Sequence, residues 1–121
     1  MTFHRRIGLI TAVLLCLGSL PPTQAASPPE TNVNATGKKL AFDRRKGNCL
    51  ACHQIAGGDS AGNIGPPLIV IKTRYPDKAV LRQRIWDATA FNPETPMPPF
   101  GRHKILTEKE IDILVSFIWS L

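Results

Sequence analysis

The chemistry in this chain concentrates in one short run, Cys49-Leu50-Ala51-Cys52-His53. Two thiols at i and i+3 lie on one face of a helical turn, and the histidine follows directly. Each thiol can add across a vinyl group to form a thioether, which holds His53 beneath an iron as its proximal ligand. C-x-x-C-H is the attachment signature of c-type haem, and a single copy means a single haem. Two other chemistries use similar residues. A dithiol redox pair of the thioredoxin kind wants a βαβ pattern around it, and the chain before Cys49 reads as a basic helix. A zinc site wants four ligands. Past residue 25 the chain offers only Cys49, Cys52, His53 and His103 as cysteine or histidine.

A haem iron takes a sixth ligand. Past residue 25, Met97 is the only methionine and His103 the only other histidine. Met97 lies in Thr95-Pro96-Met97-Pro98-Pro99-Phe100, where prolines restrict φ and the residues before them. A stiff loop lowers the entropic cost of holding a weak thioether ligand, so Met97 is favoured as the distal ligand. His103, between Arg102 and Lys104, suits a surface. His/Met ligation raises the haem potential and suits electron transfer. A ligating histidine usually donates its second ring N–H to a carbonyl, and Pro66, in Gly65-Pro66-Pro67-Leu68, is the candidate acceptor for His53. Arg102, Lys104 and Trp86 are candidates to meet a haem propionate, with core or surface roles equally open. No catalytic residue is expected.

The elements that position these residues are helices joined by Gly/Pro loops. Residues 1–25 read as a cleaved signal peptide. Arg5-Arg6 opens it, Ile7 to Leu20 is its apolar stretch, and Thr23-Gln24-Ala25 supplies small residues before cleavage. The apolar stretch is shorter than the roughly 20 residues a spanning helix needs, so no membrane anchor is expected after cleavage, and Cys16 leaves with the leader. Export places the product in a bacterial periplasm. Removal of the leader leaves 96 residues and lowers the net charge from +6 to +4. Residues 26–35 read as a flexible tether. A helix is expected over 36–46, capped by Thr36 and ended by Gly47, and a second over 76–88. Thr107-Glu108-Lys109-Glu110 is a capping box, and behind it Ile111, Leu114, Val115, Ile118 and Leu121 recur at helical spacing. Leu68 to Ile71 is a short apolar run open to an extended reading. The apolar inventory is thin for a core of this length, so the cofactor must supply part of it.

In this order the residues resemble class I cytochromes c: a helix running into C-x-x-C-H, a Gly-Pro-x-Leu, a methionine loop and a final helix. The resemblance implies an all-α fold over residues 36–121, three to four helices wrapped by Gly/Pro loops around one covalent haem c. It also implies a crossing of the first and last helices near Gly37 to Phe42 and Phe117. More narrowly, Lys46 to His53, Gly62 to Leu68, Met97-Pro98-Pro99-Phe100-Gly101-Arg102-His103, and Leu106-Thr107-Glu108 with Glu110-Ile111 resemble the SoxX family. That resemblance implies pairing with a larger SoxA-like cytochrome in the periplasm, in a complex that oxidatively joins thiosulfate to a cysteine of the SoxYZ carrier. Its electrons leave to a downstream acceptor, and this chain's haem is not itself the catalytic one. A free-standing electron shuttle and a ligand-sensing haem domain are the rival readings. Lys38, Lys39, Arg44, Arg45 and Lys46 form either a solvated helix face or a docking surface for a partner. Nucleic acid is not an expected partner, and Trp119, off the apolar face of its helix, is a candidate partner contact.

Overall fold

The computed structural model describes residues 29–121. The expected leader, with Cys16, and the first residues of the expected tether lie outside the described residues. Four α-helices follow in order, α1 (Glu30–Phe42), α2 (Ile71–Arg74), α3 (Lys78–Trp86) and α4 (Glu108–Trp119), with 3₁₀ turns at Cys49–Ala51 and Ala88–Ala90. No strand occurs among the described residues, so the expected all-α architecture holds.

The first helix begins earlier than its sequence suggested. It starts at Glu30 and takes in residues 30–35, which had read as tether. Pro29 supplies the start, since its carbonyl accepts from the amides of Asn32 and Val33 and its missing N–H is no loss at a helix entrance. Glu30 places a negative charge against the positive end of the helix dipole. Thr36, expected as the cap, lies inside the helix and donates its hydroxyl to the Asn32 carbonyl at 2.9 Å. The helix ends at Phe42, and residues 44–47 form turns rather than a further helical turn. Helix α3 likewise runs from Lys78 to Trp86 and not over 76–88, because the Asp77 carboxylate caps it through the Ala79 amide. Ile71, the end of the run left open to an extended reading, begins α2.

Helix α4 follows its sequence closely. Thr107 accepts from the Glu110 amide while Glu110 reaches back to the Thr107 amide, closing the capping box. Ile111, Leu114, Val115, Phe117 and Ile118 are buried, and Leu121 is half-buried. The most extensive helix contact is α1 against α4, with α3 also packed on α4. Gly37 is buried at the α1–α4 crossing, where a Cβ would come within 2.7 Å of the Ile113 carbonyl oxygen and would also meet Phe117. A glycine there lets two backbones approach more closely than side chains allow. Trp119 turns inward: its indole N–H donates to the Tyr75 carbonyl at 3.1 Å, and Lys72 and Lys78 lie over its ring.

Candidate haem site

The motif is carried by a tight reversal after α1. The Gly47 amide donates to Leu40, and the Asn48 amide donates to Asp43. Asn48 is left-handed (φ 48°), a conformation that asparagine tolerates better than most residues. The chain then enters the 3₁₀ turn Cys49–Ala51, and the His53 amide donates to the Cys49 carbonyl at 2.8 Å. The Gly-rich loop is laced back onto this turn. Gly62, Gly65 and Leu68 donate to the carbonyls of Leu50, Cys52 and Gln54 at 2.7, 2.8 and 2.8 Å. That lacing brings the Pro66 carbonyl to 2.7 Å from His53 Nδ1. The imidazole lies on the backbone of Gly65, where a Cβ would sit 2.6 Å from Nδ1.

These elements enclose a cavity of about 800 Å³, well within the range of cofactor sites. Cys49, Cys52, His53, Pro66 and Met97 all line it. Leu81, Ile85, Phe100, Leu114 and Ile118 give it apolar walls from α3, the methionine loop and α4. The methionine loop is itself turned, with the Met97 amide donating to the Thr95 hydroxyl at 3.3 Å. His103 does not line the cavity and is exposed.

The electrostatics are one-sided. Arg44, Arg45, Lys46, Arg74 and Arg84 line the cavity, and no carboxylate does so among the described residues. Arg84 lies over the Phe91 ring at 4.0 Å, and its Nε is buried with no hydrogen-bond partner among the described residues. A buried guanidinium nitrogen without an acceptor is costly, and Arg84 is the lining cation that carries such an unmet donor. Arg102, Lys104 and Trp86, the sequence candidates to meet a haem propionate, do not line the cavity. Arg102 is taken up by Asp87 at 3.2 Å, Trp86 packs on Gly101, and Lys104 is exposed. Sequence reasoning missed Arg84, although its place next to Ile85 and three residues after Leu81 puts a cation at the border of the apolar stripe of α3.

Cys49 is not tuned for nucleophilic work. Cys49 and Cys52 are not bridged, and burial pushes the Cys49 pKa up to about 11. A disulfide-exchange cysteine needs the opposite shift. No group of three or more histidine, cysteine or acidic side chains converges on a metal-sized point among the described residues, so the zinc geometry is not formed.

The cytochrome c family model matches residues 34–121, most of the chain. The chain belongs to the cytochrome c family. Its all-α fold is that of a class I cytochrome c, and its cofactor is covalent haem c. The cavity fits that group: paired thiols, an imidazole, a thioether, apolar walls, and cations for its propionates. The cytochrome is also similar to an uncharacterized lipoprotein of Aquifex aeolicus, 36 % identical over 78 residues. The alignment covers 61 % of this chain and 36 % of the relative, so this cytochrome spans only about a third of that protein's length. No helix among the described residues is long and apolar enough to cross a membrane.

Proposed function

We propose that this cytochrome is a single-haem periplasmic electron carrier, with Cys49 and Cys52 as the thioether attachments and His53 and Met97 as the iron ligands. It serves as the SoxX-like electron-accepting subunit beside a larger SoxA-like cytochrome, in a complex that joins thiosulfate to a SoxYZ carrier cysteine. The observation that carries the reading is the convergence of Cys49, Cys52, His53 and Met97 on one apolar cavity.

When bound, haem supplies a one-electron ferric/ferrous couple, and the protein's part is to fix its ligands and keep water out. The Pro66 carbonyl can only accept, so His53 carries its proton on Nδ1 and keeps the Nε2 lone pair for a metal. Leu81, Ile85, Leu114 and Ile118 line the same cavity as Met97, and apolar walls favour a soft thioether over water as an iron ligand. Arg84, a cation on the cavity wall, would offset the charge of a haem propionate.

Export and the SoxX role rest on the sequence: the leader, and the Met97-to-His103 stretch followed by the capped helix. The lipoprotein description of the Aquifex relative is in keeping with a place outside the cytoplasm. Arg44 and Arg45 line the cavity, as do the exposed Ile64 and Ile105, a mix of charge and apolar surface suited to a partner with an apolar spot and acidic surroundings. Mild purification of a tagged copy from its own host should retain a second, larger cytochrome. Recovery of the monomer alone would favour the free-standing shuttle and sink the subunit reading.

A further inference from the structure

The methionine loop stands on a single corner. At its near end the amides of Phe91 and Asn92 both donate to the Ala88 carbonyl at 3.1 Å, and the Thr95 amide donates to Asn92. At its far end the Gly101 amide donates to the Trp86 carbonyl at 3.0 Å. The residues of these two footings, Trp86 to Thr89 and Gly101 to Arg102, are bound to each other by side chains as well. One Asp87 oxygen accepts from the amide and the hydroxyl of Thr89, and the other faces Arg102 Nε at 3.2 Å. A second Arg102 nitrogen donates to the Thr89 hydroxyl at 3.2 Å. The backbone of Gly101 lies against the Trp86 indole, where a Cβ would come within 2.7 Å of Cζ3.

Residues 92–100 therefore form a bow with Met97 near its middle, and its neck is closed by Asp87, Thr89 and Arg102. None of the three lines the cavity. We infer that they are positioning residues, a clasp whose strength sets how readily the bow opens and lets another ligand replace Met97 at the iron. The inference rests on Met97 being the distal ligand. A loop held at both feet loses little entropy when its tip binds, and a loop free at one foot loses more. Asp87 is the better shielded partner, its side chain 16 % exposed against 53 % for Arg102. The clasp is thus a partly shielded ion pair reinforced by a hydroxyl that joins both partners, and such a network outlasts an isolated surface pair.

The test titrates the ferric holoprotein with imidazole and follows the far-red iron–thioether band. Wild type shows the band and binds imidazole weakly. Arg102→Gln and Asp87→Asn keep the band without imidazole but bind imidazole about two- to fivefold more tightly, the range expected for losing such a pair. Arg102→Lys, which keeps the charge, recovers part of the difference. Lys109→Gln, which removes an exposed charge elsewhere, binds as wild type. Helix melting by circular dichroism, run on each variant, separates loop opening from global loosening. A wild-type band with unchanged imidazole affinity in both clasp variants overturns the clasp alone, as does an increase fully matched by global destabilisation. A wild type without the band overturns the Met97 reading, and the clasp with it.

Discussion

Among single residues, the sharpest contrast is between Arg84 and Arg102. Both are arginines near the cavity in sequence, and only Arg84 lines it. Arg102 has a carboxylate and a hydroxyl within the protein, whereas the Arg84 Nε has no partner there. A positive charge close to a haem favours the reduced state, because oxidation adds positive charge to the iron. Arg84→Leu should therefore lower the midpoint potential by on the order of 50 mV, since a tenfold change in a one-electron equilibrium is about 59 mV. Arg102→Leu should move it much less. Equilibrium redox titration checks this, and equal shifts in the two variants would remove the distinction. That the C-x-x-C-H run, Met97 and Pro66 would gather at one cavity was legible, because residue type and spacing mark them. The place of Arg84 on its wall was not, because it depends on what lies opposite in space.

Among the elements, α4 was readable and α1 only half so. Helix α4 carries its own start signal, Thr107 with Glu110, and an apolar face that names its core residues. Helix α1 begins with Glu30-Thr31-Asn32-Val33-Asn34, residues of modest helix propensity, so its first turns gave no strong local signal. Val33 and Asn34 are nevertheless half-buried, and burial overrides weak propensity. Two variants probe this pair of helices. Thr107→Ala removes the cap and should cost about 1 kcal/mol. Gly37→Ala gains helix propensity but drives a methyl toward Phe117 and the Ile113 carbonyl. Overpacking of that kind costs about 1–3 kcal/mol and outweighs a propensity gain of roughly 1 kcal/mol or less at the upper end. Denaturant midpoints of the holoprotein should fall for both. An unchanged Gly37→Ala would mean the helices can slide apart at no cost. The ion pair Lys46–Glu110, at 2.7 Å, joins the approach to the haem motif to the first turn of α4. The hydrogen bond from Lys46, then that from the Thr107 amide, brings the Glu110 pKa from 4.5 down to about 2. A depressed carboxylate pKa contributes stability above the unfolded value that is lost as pH falls through the folded one. The holoprotein should therefore lose stability between pH 4.5 and 2, and Lys46→Met should be less stable at neutral pH but show a shallower loss across that window. Urea midpoints at several pH values measure it, and parallel curves would exclude the pair as the cause.

For the whole molecule, the thin apolar inventory becomes intelligible once the cavity is counted as core. The faces of α3 and α4 that the sequence marked as apolar, Leu81 and Ile85 on one and Leu114 and Ile118 on the other, meet around that space. Among the described residues, the largest fully buried side chains are Ile71, Ile111 and Leu114. Without haem those faces would border water in place of a cofactor, so the polypeptide alone should lose the tight packing that the cofactor completes. Cys49→Ser combined with Cys52→Ser, which removes both attachment thiols, should yield a protein with no cooperative melting transition. Its far-UV helical signal should be reduced, and it should bind a hydrophobic dye that the holoprotein does not. The α1–α4 contact, held by Gly37 and Phe117 away from the cavity lining, is the part expected to keep residual helix. A haem-free double variant that melted cooperatively with full helical content would show that the side chains alone suffice for the fold, and that the haem occupies a space the protein holds open by itself.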